Sequence, residues 1–135
     1  MNSHSKKPLA EKLGIKAGYM IMALNPPSDY VKILKKAGAR LLVLQELREV
    51  VDLMHIFTKD RTELEEKFPL MKQYLSQKGA LWVSWPKRKS KYKCDLDENV
   101  VREIGLKNGL VDVKVCAIDE TWSGLKFVRM LRNRS

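Results

Sequence analysis

The residues with the clearest chemical potential lie in one short segment. Lys87, Arg88, Lys89, Lys91 and Lys93 place five cations within seven residues, with Trp85 just before them and Tyr92 among them. Lysine attracts phosphate as a point charge, arginine can grip it with two N–H groups, and an aromatic face can stack on a base. The combination suits a nucleotide-like anion or RNA. The same composition also suits a solvated loop with Trp85 in the core. A second segment, Asp119-Glu120-Thr121-Trp122-Ser123-Gly124, holds more than a tight turn requires. Glycine and small polar residues make the turn. Thr121, Trp122 and Ser123 add groups that can touch a ligand, and Trp122 either covers that ligand or packs back as a plug. Asp119 and Glu120 are open to a general-base role or to plain solvation.

The remaining reactive side chains are sparse. His55 sits between Met54 and Ile56 in an apolar run, the setting of a core histidine, and His4 lies in a polar terminus. Cys94 directly follows the five cations, a field that would lower a thiol pKa. Cys116 reads as a small apolar core residue. No CxxC or Cys/His cluster marks a metal site, and no cofactor is predicted from these residues. No Ser/His/Asp set or carboxylate pair assembles a hydrolytic centre.

Local patterns along the chain set the elements that must hold these groups. Pro8 to Leu13 suits a short helix ending at Gly14. Tyr19 to Leu24 is an unbroken apolar run, as in a strand covered on both faces. A helix follows with Tyr30, Ile33, Leu34 and Ala37 on one side. Arg40 to Leu44 and Val51 to Phe57 are two further strands, joined by a polar connection. The Thr62/Glu65 spacing predicts a capping box, followed by a stripe of Leu64, Phe68, Met71 and Leu75 that Pro69 should kink or split. Gly79 leads into a strand over Ala80 to Trp85. Asp95 and Glu98 predict the next helix start, and Gly109 its end. Val111 to Ile118 and Leu125 to Leu131 are joined by too short a link for a crossover, so they form an antiparallel hairpin.

Strands alternating with helices imply a parallel sheet with right-handed crossovers. The expected fold is therefore α/β: a three-layer Rossmann-like domain over residues 8–135, with a mostly parallel sheet ending in an antiparallel hairpin. Residues 1–7 read as a polar, flexible tail. In such a sheet, ligands gather beyond the carboxyl ends of the strands. The turn after the first strand normally carries glycines so that phosphate can rest on the backbone. Here that turn is Asn25-Pro26-Pro27-Ser28-Asp29: it has no glycine, and its two prolines lack an N–H. Glu46 lies 21 residues beyond Asn25, near the spacing of an acid that binds ribose hydroxyls. Surface helix-start chemistry explains that acid equally well.

With 26 basic and 16 acidic residues, the net charge of +10 favours an anionic partner, either a small molecule or nucleic acid, and equally favours simple solubility. No apolar run reaches membrane-span length, and the polar start lacks the apolar stretch of a signal peptide. With two well-separated cysteines, this points to a cytoplasmic protein.

Three segments carry a resemblance: Leu13 to Tyr19, Trp82 to Lys87, and above all Val113 to Val128 with its Thr121-Trp122-Ser123-Gly124-Leu125-Lys126-Phe127-Val128 core. From Leu9 to about Arg129 the chain resembles a small bacterial domain-of-unknown-function family, which implies a fold and no chemistry. The final hairpin also resembles that of class I methyltransferases, with one βα unit absent between Leu44 and Val51. Three functions follow as expectations. The first is binding of an anionic, phosphate- or nucleotide-like ligand at the strand-end rim, without established catalysis. The second is a nucleic-acid-binding accessory role, and the third a divergent S-adenosylmethionine-dependent methyltransferase.

Overall fold

The computed structural model describes residues 7–43 and 49–130. Its order is α1 (Leu9–Leu13), β1 (Met20–Leu24), α2 (Ser28–Lys36), β2 (Arg40–Val43), β3 (Val51–Phe57), α3 (Arg61–Gln73), β4 (Leu75–Pro86), α4 (Glu98–Lys107), β5 (Leu110–Ala117) and β6 (Trp122–Arg129). The six strands form one sheet in the order β2-β1-β3-β4-β6-β5. β1 to β4 run parallel, while β6 pairs antiparallel with both β4 and β5. The α/β fold with a mixed sheet and a closing antiparallel hairpin is therefore the observed one.

Apolar side chains on both sheet faces produce the three layers. On one face, Leu13 of α1 and Tyr30 and Leu34 of α2 pack on Ile21, Ala23, Leu53, Phe57 and Trp82. On the other, Leu64, Phe68 and Met71 of α3 and Val101 and Ile104 of α4 cover Met22, Met54, Ile56, Leu81, Leu125 and Phe127. This double cover is why β1 reads as an unbroken apolar run. α4 lies close on β6 because residue 105 is glycine; a Cβ there would overlap the Phe127 ring.

Several element limits differ from the sequence expectation. α3 runs unbroken through Pro69, which is exposed, as is Glu65, whose carbonyl loses its partner to the missing N–H and can be met by water. Its cap is Asp60, which accepts from Thr62 N at 2.9 Å, so the Thr62/Glu65 capping box does not form. Leu75, the last residue of the expected stripe, begins β4 instead. Pairing passes from Val51↔Leu75 to Leu53↔Ala80, so a bulge absorbs the residues around Gly79. α4 is capped by Asp97 through Val100 N at 2.8 Å, not by Asp95. β6 starts at Trp122 because Pro86↔Trp122 through Leu81↔Phe127 pair in one continuous ladder.

No helix among the described residues is long and apolar enough to cross a membrane.

Candidate functional site at the strand-end rim

The chain passes from β1 through α2 to β2 on one side, then returns to place β3 on the other side of β1. The strand order reverses between β1 and β3, which opens a crevice at their carboxyl ends. Asn25 leaves β1 with φ 57°, a left-handed conformation that asparagine tolerates. Its Nδ2 donates to Phe57 O at 3.2 Å and to Glu63 Oε2 at 3.4 Å. Thr58 Oγ1 donates to the other Glu63 oxygen at 2.5 Å, and Thr58 N donates to Ser84 O at 3.0 Å. The ends of β1, β3 and β4 are thus tied together through Asn25, Thr58 and Glu63.

Three helices start at this rim, and their starts differ. The first N–H groups of α3 are met by carboxylates, Thr62 N by Asp60 and Arg61 N by Asp95 at 2.8 Å. Asp97 does the same for α4. α2 begins after Pro27 with no side-chain cap, so the positive end of its dipole carries no capping side chain.

Beside the crevice, the end of β4, the following loop and the start of α4 enclose a cleft of about 450 Å³. Trp85 and Leu96, both buried, belong to its lining and to the core. Tyr92, Ser123, Lys87, Arg88, Asp95 and Asp97 also line it. Of the residues read from sequence, Trp85, Lys87, Arg88 and Ser123 therefore meet in one cavity. Lys89, Lys91, Lys93, Thr121 and Trp122 do not line it. Lys89 and Lys93 are exposed, and Lys91 stands 5.6 Å from the Tyr92 ring centroid, with Lys59 at 5.1 Å. Glu46 lies outside the described residues.

Asp119 is committed to the fold. Its Oδ1 accepts from Thr121 N and Trp122 N, both at 2.8 Å, which shapes the turn. Thr121 O in turn accepts from Lys87 N at 2.8 Å and joins the turn to the basic loop. Trp122 meets Phe57 edge-on at 5.2 Å, and Tyr92 tilts against Trp122 at 6.1 Å. An aromatic series thus leads from the core to the rim.

Cys94 corrects a sequence expectation. Burial pushes its thiol pKa up, the neighbouring Asp95 and Asp97 push it further, and the Leu96 N–H and Lys59 oppose them. The five cations beside it in sequence do not set its field. The sequence marks neither Asp95 nor Asp97 as a cleft residue: Asp95 reads only as a helix start with Glu98, and no spacing singles out Asp97. Among the described residues, no group of three or more His, Cys, Asp or Glu is arranged to hold a metal.

No protein-family model matches the sequence, so the resemblance to the small domain-of-unknown-function family gains no support. No curated protein matches it either. Solved structures do share the fold. Magnesium protoporphyrin IX methyltransferase from Synechocystis PCC 6803, solved with bound SAM, aligns over 90% of this chain and 74% of its own, with TM-score 0.60 and 11% identity. A SAM-dependent methyltransferase from Aquifex aeolicus aligns over 88% and 86%, with TM-score 0.59 and 13% identity. The fibrillarin pre-rRNA processing protein of Methanococcus jannaschii aligns over 93% and 70%, with TM-score 0.55 and 12% identity. At such identities the likeness establishes a methyltransferase-like Rossmann fold and leaves the chemistry to the residues of the rim.

Proposed function

We propose that this chain is a divergent protein of the S-adenosylmethionine-dependent methyltransferase fold that binds an adenosyl-type ligand along its strand-end rim. The observation that carries this reading is the start of α2. It stands where the strand order reverses, and no side chain among the described residues caps it, whereas carboxylates cap α3 and α4. The ligand's carboxylate would sit at the Ser28 and Asp29 N–H groups. The fold neighbours, one of them solved with SAM, favour the ligand class.

A glycine-cradled cofactor does not fit the preceding turn. Pro26 and Pro27 offer no N–H, and the Asn25 amide already donates to Phe57 O and Glu63. Held by its carboxylate at the start of α2 rather than in a glycine cradle, adenosylmethionine would supply an electrophilic methyl group. The chain's own part in this reading is to hold an anionic group at α2.

Calorimetric titration with adenosylmethionine, adenosylhomocysteine and adenosine tests it. Saturable binding of the first two, little changed by salt, is the expected outcome. Ser28→Pro should weaken it several-fold without lowering the melting temperature, because proline is tolerated at a first helical position yet removes one donor. Absence of saturable binding by both cofactors would overturn the reading.

A second reading rests on the cleft. Lys87, Arg88 and Tyr92 around about 450 Å³ suit a phosphorylated, nucleotide-like ligand held without catalysis, or a nucleic-acid backbone. ATP or short RNA binding that weakens steeply with salt and drops with Arg88→Ala would favour it over the first.

A further inference from the structure

At the pole opposite the rim, a hollow of about 580 Å³ lies between the carboxyl ends of α3 and α4. Lys72, Gln73, Lys107, Asn108 and Arg129 line it. We infer that this hollow is a second ligand site, built for a small molecule bearing a phosphate group.

Arg129 anchors the argument. Its Nη2 donates to Lys72 O at 3.0 Å and to Leu75 O at 2.7 Å, which fixes the guanidinium plane. Its Nε–H is buried and has no partner. Buried donors are almost always satisfied, so an orphaned N–H in a rigidly held guanidinium calls for an acceptor that a ligand can bring. Lys72 reaches over the turn after α4: its Nζ lies 2.9 Å from where a Cβ on Gly109 would be, and Gly109 has φ 81°. Lys107 comes from the last turn of α4.

Cations at helix carboxyl ends commonly offset the helix dipole. Here several carbonyls at those ends already have donors. Arg129 meets Lys72 O and Leu75 O, Val51 N meets Tyr74 O at 2.8 Å, and Asn108 Nδ2 meets Ile104 O at 2.8 Å. No acidic residue lines the hollow, and the salt bridges among the described residues involve Arg61 and Arg102 rather than these cations. Three positive charges, an orphan N–H and the Gln73 amide match a dianion with several acceptor oxygens better than a single carboxylate. The site is independent of the rim, so either reading can fail without the other.

Inorganic pyrophosphate is the probe, added to the full chain. The arginine Nε–H resonance of Arg129, assigned with Arg129→Lys, should move saturably in proton–nitrogen spectra. Calorimetry should give saturable binding, roughly tenfold weaker in the Lys72→Gln/Lys107→Gln variant at unchanged melting temperature. Lys32→Gln, an exposed charge on α2 across the sheet from the hollow, should bind as the parent does. An unmoved Arg129 signal, a double variant that binds normally, or loss of binding in Lys32→Gln would each overturn the assignment.

Discussion

Nε2 of His55 on β3 lies 2.7 Å from Oγ of Ser84 on β4, and its Nδ1 lies 3.0 Å from Tyr30 Oη on α2. All three side chains are buried, and the imidazole stacks on Phe57 with ring centroids 4.2 Å apart. A neutral imidazole donates through one nitrogen and accepts through the other, so it can satisfy both hydroxyls at once. The network pins α2, and with it the crevice beside β1, to the sheet. Burial also raises the Tyr30 pKa, so the phenol keeps its proton.

Burial lowers the His55 pKa from about 6.5 to about 3. The unfolded chain therefore takes up a proton that the folded chain refuses. Stability is fully present above about pH 6.5 and falls as the pH drops towards 3, by about 2 kcal/mol between pH 7 and pH 5. Urea unfolding at the two pH values measures this. In His55→Phe the slope over this interval should vanish, although the orphaned Tyr30 and Ser84 hydroxyls lower stability at both. Equal slopes in parent and variant would assign the pH dependence to other groups.

Asn25 combines a left-handed backbone with a side chain that joins β1 to β3. Asn25→Ala should cost about 2 kcal/mol, from the strained φ and the lost amide bonds together. Asn25→Gly keeps the φ at ease and should cost only the hydrogen-bond part. Thermal unfolding of the pair separates the two terms; equal losses would leave backbone strain no part in this turn.

Asp119 shapes the turn beside the cleft through the Thr121 and Trp122 N–H groups. Asparagine presents the same acceptor oxygen. Asp119→Asn should therefore keep stability and rim binding, while Asp119→Ala should lose about 1 kcal/mol and loosen Trp122. Trp122 fluorescence with chemical unfolding tests both. Loss of rim binding in Asp119→Asn at intact stability would instead give the carboxylate's charge a part in the rim site.

The Cys94 thiol should alkylate slowly. Its pKa is raised above the ordinary thiol value, so less thiolate is present at neutral pH than in the unfolded chain. The rate of iodoacetamide labelling, followed by peptide mass against pH, should inflect above that of the unfolded chain. An inflection below it would mean that the loop cations govern the site after all.

The alternation of strands and helices was legible from local pattern alone. Ile21 to Leu24, Leu53, Met54, Ile56 and Phe57 must be apolar because helices cover both sheet faces. Tyr30 and Leu34 fall one helical turn apart because one side of α2 is buried. The helix caps were less legible. Asp60, Thr62, Asp95 and Asp97 all lie near helix starts, and composition cannot choose which oxygen reaches which N–H. The start of β6 was set by its ladder with β4, a partner about 40 positions away.

By itself, the sequence determined whatever depends on covalent chemistry and local period. The turn after β1 has no N–H at Pro26 and Pro27, and the apolar runs and stripes set the order of elements. Only the tertiary structure decided which charges face one another. It set Asp95 and Asp97 rather than the loop cations beside Cys94, gave His55 two hydroxyl partners, and left Arg129 Nε–H buried without an acceptor. The reason is range: bond geometry acts within a few residues, whereas desolvation and Coulomb interactions depend on distances that chain folding alone sets.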